Sequence, residues 1–167
     1  MEESTFESFY ELTKHSLWRY VVSIMKNDAL AKDIFQDTYI KFLQSSIKHS
    51  DDAGKKSYLY RIATNLMHDH WRKEKRQSRR WEEEPAYEPS NHIGTEINLR
   101  LDMGEAFKHL SSQHCTLLWL AYVEGYEHKE IAQMLKLREQ SVKVLLFRAK
   151  QRLIEVCQRM GITSGSE

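Results

Sequence analysis

Apolar positions recur three and four residues apart along most of the chain. Phe6, Phe9, Tyr10, Leu17, Tyr20, Val21, Ile24 and Met25 form one such series. On an α-helix each residue advances by about 100°, so this spacing gathers the series onto one face. Leu30, Ile34, Phe35, Phe42 and Leu43 form a second series, opening on Asn27-Asp28, whose side chains can cap free backbone N–H groups. A third helix is predicted from 57 to about 80, with the stripe Tyr58, Leu59, Ile62, Ala63, Leu66, Met67 and Trp71. The preceding "HSDDAGKKS", 49–57, reads as a loop. "WEEEPAYEPSNHIGTE" then holds both prolines of the chain and has no apolar period, so it reads as a linker. Further helices are predicted over 97–110, 113–124, 127–136 and 139–160, with breaks at Ser111-Ser112, Gly125 and Leu137-Arg138. The fold class is all-α. Two small helical domains, 1–81 and 96–167, are joined by a flexible acidic linker, 82–95.

Composition agrees. The 167 residues include only 6 glycines and 2 prolines, which favours helices over turn-rich β structure. No apolar run approaches the roughly 18 residues of a membrane span, so no membrane insertion is expected. The acidic start, Met-Glu-Glu-Ser, lacks a signal peptide's basic and apolar regions. Cys115 and Cys157 read as two free thiols in a reducing cytoplasm.

Net charge is +1, yet the charge is unevenly placed. Between Lys55 and Trp81 nine bases face two acids, and between Lys129 and Arg159 eight bases face three acids. The stretch between, from Glu82 to Asp102, has six acids against Arg100. Two basic segments around an acidic one suggest two contact surfaces for a polyanion, although a single basic run often only solvates a helix face.

His68, Asp69 and His70 lie side by side. On a helix the two histidines are about 200° apart and cannot share a metal. A helical zinc pair needs a spacing of four, which is absent. They read as partly exposed polar positions on a basic helix, with His70 or Trp71 lining a domain interface. No metal, cofactor or catalytic residue is called for.

"EHKEIAQMLKLREQSVKVLLFRAKQRL" reads as helix, short turn, helix. Ile131, Leu135, Val142 and Leu146 can fill the angle between the helices, and Ala132 is small enough for close approach. The second helix then carries Gln140, Ser141, Lys143, Phe147 and Arg148 near its start. Such a helix fits the major groove of B-DNA.

Three segments together resemble a bacterial RNA polymerase sigma factor of the extracytoplasmic-function group, in the sigma-70 family. "AKDIFQDTYIKFL" is similar to the second-region helix, and "SYLYRIATNLMHDHWRKEKR" to the promoter-reading helix that follows it. "LSSQHCTLLWLAYVEGYEHKEIAQMLKLREQSVKVLLFRAKQRL" is similar to the fourth region. The similarity covers nearly the whole chain.

The resemblance implies a cytoplasmic protein that binds core RNA polymerase and promoter DNA, and an anti-sigma factor as a further partner. It places Asp33, Gln36 and Asp37 on the clamp helices of the polymerase. It places Asn65 on a base flipped out of the minus-ten element, with the 49–57 loop walling the pocket. An amide can both donate to and accept from a base edge. Tyr58, Tyr60 and Trp71 would stack on unpaired bases, Tyr58 and Trp71 being equally readable as core. Arg61, Arg72, Lys73 and Arg76 would hold the strand's phosphates. Lys129, Gln140, Ser141, Lys143, Phe147 and Arg148 would contact the minus-thirty-five element. At about 3.4 Å per residue the linker can extend about 45 Å, enough to serve both elements.

Two departures stand out. Lys136 occupies a turn position where glycine is usual, so the turn must accept a side chain or change shape. Val144-Leu145 replaces the usual Ser-Arg. It removes a phosphate or base contact and implies a thymine-methyl contact, an altered dock or a buried interface. Two rival functions are a helix-turn-helix regulator acting without polymerase and a metal-dependent phosphohydrolase.

Overall fold

The structure, a computed structural model, describes residues 3–45, 51–77 and 99–161, without the side chains of 75–77 and 99–103. The predicted linker, 82–95, lies outside the described residues. Every regular element among those described is helical. The chain divides into two compact units, one of Met1–Gln77 with Gln133–Leu137 and one of Ser78–Ala132 with Arg138–Glu167.

The first unit is three helices, α1 (Glu3–Met25), α2 (Asp28–Gln44) and α3 (Asp52–Gln77), each packed on the other two. The α1 series closes its core with Phe9, Leu17, Tyr20, Val21 and Ile24. Ala31, Ile34, Tyr39 and Phe42 come from α2, and Leu59, Tyr60, Ile62, Ala63 and Met67 from α3. Burying one large apolar side chain stabilises by about 1.5–3 kcal/mol. Phe9 and Phe42 stack at 4.9 Å between ring centroids, joining α1 to α2. Lys26 ends α1 in the left-handed region (φ 57°), and Asn27 then accepts the Leu30 N–H at 3.1 Å as the predicted cap of α2.

The 49–57 loop reading is corrected in part. Residues 46–50 lie outside the described residues, but α3 already begins at Asp52. Asp51 is the reason: its carboxylate accepts the Gly54 N–H at 2.8 Å, and its carbonyl accepts the Lys55 N–H at 3.2 Å. The polar run that reads as loop is a cap followed by the first helical turn.

In the second unit α4 (Leu99–Lys108) and α5 (Ser112–Leu118) both pack on α7 (Glu139–Arg159). Ser111 caps α5, its Oγ accepting the His114 N–H at 3.2 Å. The helix then widens into a π-helical turn over Trp119–Val123, where the Glu124 N–H reaches the Trp119 carbonyl at 3.0 Å, five residues back. The uniform helix predicted over 113–124 is thus two segments. Gly125, at φ 73°, ends it at the predicted break. At the start of the next helix, α6 (His128–Leu135), the Glu130 carboxylate reaches back and accepts the Glu127 N–H at 2.9 Å. Ile131 and Val142 are fully buried and Leu146 nearly so, whereas Leu135 is half-buried. Lys136 adopts φ 55°, so the turn before α7 keeps the left-handed conformation with a side chain in it.

Candidate nucleic-acid interface

The core side of α3 fixes its outward side. Leu59, Ala63 and Met67 face inward, so Tyr58, Arg61, Asn65 and Arg72 fall on the opposite side, within about 40° of Asn65. Asn65 is half-buried, and its amide has no hydrogen-bond partner among the described residues. Arg61 and Arg72 are exposed, Arg72 approaching Asp69 at 3.8 Å in a solvent-screened pair. Tyr58 is half-buried, its ring centroid 6.2 Å from that of Phe42. Lys73 is exposed but lies about 80° round the helix from Asn65. Arg76 lies on α3, with its side chain outside the described residues.

Two aromatic positions differ from expectation. Tyr60 has no solvent exposure and packs its ring 5.0 Å from that of Tyr20, so it is core and offers no face to an unpaired base. Trp71 is half-buried and stands about 120° round the helix from Asn65. Its neighbour is His68, 5.3 Å away between ring centroids, which bridges Trp71 to the Asn65–Arg72 face. His68 is the member of this surface that the sequence reading left out; applying 100° per residue from Asn65 would have found it. Burial, and next the Arg72 charge, hold its pKa below 6.5 against the opposing pull of Asp69. The imidazole is therefore neutral near pH 7. His70 instead meets Glu74, Nε2 to Oε1 at 3.1 Å, so the two histidines serve different surroundings.

On α2, Asp33, Gln36 and Asp37 are all exposed, opposite buried Ile34 and Thr38. Ile40, 50% exposed, continues that face and gives it an apolar member beyond the polar trio.

On α7, Gln140, Lys143, Phe147 and Arg148 are exposed, opposite Val142, Leu146 and Ala149; Ser141 is half-buried. Lys129 is exposed near the start of α6. Lys150 sets its ammonium 4.8 Å from the Tyr122 ring centroid, bracing α7 against the π-helical turn.

These features define a class: an all-α protein with a cationic helix face on α3 and a helix-turn-helix formed by α6 and α7. Comparison with known proteins narrows it. The model of sigma-70 region 2 matches residues 9–77, and that of sigma-70 region 4 matches residues 100–153. The ECF RNA polymerase sigma factor SigL of Mycobacterium tuberculosis is 25% identical over 166 residues, covering 97% of this chain and 94% of its own length. The ECF RNA polymerase sigma factor SigM of Bacillus subtilis is 27% identical over 158 residues, covering 89% and 93%. Among solved structures, the sigma factor RpoE from Bartonella quintana, crystallised with the anti-sigma factor NepR, has the same fold. Its TM-score is 0.70 at 23% identity, over 92% of this chain and 97% of that one. The chain belongs to the sigma-70 family of sigma factors, in its extracytoplasmic-function group.

Proposed function

We propose that this chain binds core RNA polymerase and directs promoter recognition, promoter melting and transcription initiation. The carrying observation is the half-buried amide of Asn65, without a hydrogen-bond partner among the described residues and set between exposed Arg61 and Arg72 along one face of α3. Cations on both sides suit a phosphate backbone, and a free amide can hydrogen-bond a base edge. Extruding a base costs a few kcal/mol of unstacking, which a pocket offsets with hydrogen bonds and stacking. Asn65 captures the base, Arg61, Arg72, Lys73 and Arg76 hold the strand, Tyr58 flanks the base, and Trp71, reached through His68, stacks further along the strand.

In the same reading, Asp33, Gln36 and Asp37 dock on polymerase. Lys129, Gln140, Ser141, Lys143, Phe147 and Arg148 contact the minus-thirty-five element. The lobes are residues 1–81 and 96–167, tethered by 82–95. The chain itself performs no chemistry and works in the cytoplasm, where an anti-sigma factor restrains it. The solved neighbour bound to an anti-sigma factor supports that last role by likeness of fold.

Reconstituted transcription tests the whole reading. Core polymerase with this chain is expected to initiate at a discrete subset of a promoter library. Duplex binding with no polymerase association would favour a regulator acting alone, and metal-dependent phosphoester turnover would favour the phosphohydrolase.

A further inference from the structure

Val144 and Leu145 part company on α7. Leu145 is half-buried, within about 60° of buried Val142 and Ala149 on the helix, whereas Val144 is 51% exposed. Val144 lies within about 60° of Gln140, Phe147 and Arg148, on the side opposite buried Val142 and Leu146. Phe147, one turn on, is 62% exposed. Two apolar side chains at i and i+3 stand about 5–6 Å apart. They sit amid an amide and two cations, Lys143 and Arg148, in the part of a recognition helix that enters the major groove.

Major-groove chemistry gives such a pair one complement. Guanine offers two acceptors, suited to a bidentate arginine, whereas thymine offers a C5-methyl group suited to an apolar side chain. We propose that Val144, together with Phe147, reads thymine methyl groups, making Val144 a specificity-determining residue for the minus-thirty-five element. Lys143 and Arg148 supply phosphate attraction, and Gln140 supplies an amide for an adjacent adenine. The inference rests on the proposed reading of α7 as the minus-thirty-five helix, and it adds the base identity that helix prefers.

The test replaces thymidine with deoxyuridine, one position at a time, in duplexes selected by the full chain bound to core polymerase. Deoxyuridine keeps the base pair and its groove acceptors and loses only the methyl. At one or two positions binding is expected to weaken about fourfold, as for one methyl-sized group returned to water. Val144→Ser should bind thymidine and deoxyuridine duplexes alike at one of those positions. Val144→Thr, which keeps one methyl, should retain part of the difference. Far-UV circular dichroism of both variants should match the parent, because Val144 lies outside the core. Equal binding of thymidine and deoxyuridine at every position overturns the proposal while leaving polymerase-dependent initiation standing. Full methyl sensitivity in Val144→Ser also overturns it. So does a Val144→Ser loss of polymerase affinity with DNA discrimination unchanged, which makes the face a protein-docking surface. Failure of the polymerase complex to select any element sinks the parent reading as well.

Discussion

Tyr20 on α1 donates its hydroxyl proton to Thr64 Oγ1 on α3 across 2.6 Å, and neither residue has solvent exposure. The direction follows from Thr64, whose own proton goes to the Tyr60 carbonyl at 2.7 Å. A second relay repeats the pattern between α2 and α1. Tyr39 donates to Thr13 at 2.7 Å, and Thr13 donates to the Phe9 carbonyl at 2.8 Å. Each buried hydroxyl is thereby satisfied, and each relay pins the rotation of one helix against another. Thr64 precedes Asn65, so the first relay helps aim Asn65 outward.

Tyr20→Phe keeps the ring packing and removes that bond. The expected loss is about 1 kcal/mol of folding stability, read from the urea midpoint. An unchanged midpoint would show that the relay contributes nothing to holding α1 on α3.

Asn65→Ala should weaken promoter opening more than duplex affinity. One lost hydrogen bond to a captured base corresponds to about 1 kcal/mol, or about fivefold. Permanganate reactivity of the melted strand, set beside duplex binding at matched salt, makes the comparison. Equal losses in both would count against base capture.

His68 makes stability sensitive to mild acid. Its folded pKa lies below the unfolded value of 6.5, through burial first and Arg72 second. The unfolded chain therefore protonates first as pH falls. The contribution is fully present above pH 6.5 and is lost as pH drops toward the folded pKa. His68→Gln should flatten the stability profile in that window, measured by urea unfolding across pH. An identical slope in the variant would remove His68 as the source.

Lys136→Gly should stabilise the protein. A side chain at φ 55° is strained by about 1–2 kcal/mol, which glycine avoids. Part of the gain is offset by the greater freedom of glycine in the unfolded chain, leaving about 1 kcal/mol or less. Thermal unfolding reads the shift, and a lower melting temperature would mean that the lysine side chain earns its place through contacts.

The helices were legible in the sequence because their causes are local. A period of three to four apolar positions places a stripe, and Asn27, Ser111 and Gly125 mark starts and stops through their own backbone geometry. The start of α3 was missed because Asp51 caps the helix from inside a run of residues that otherwise resembles a loop. The widened turn at Trp119–Val123 has no comparable signal in its apolar sequence. Along α3, charge marked an outward face, and helical spacing set Arg61, Asn65 and Arg72 on it.

The amino-acid order by itself determined the run of helices, most of their breaks, and which segments carry positive charge. Only the tertiary structure decided the fate of residues on the flanks of each helix. Tyr60 became core and His68 a surface bridge, while Leu145 turned inward and Val144 outward. The reason is that helical periodicity follows from neighbours along the chain, whereas burial at the edge of a stripe depends on where another helix happens to lie.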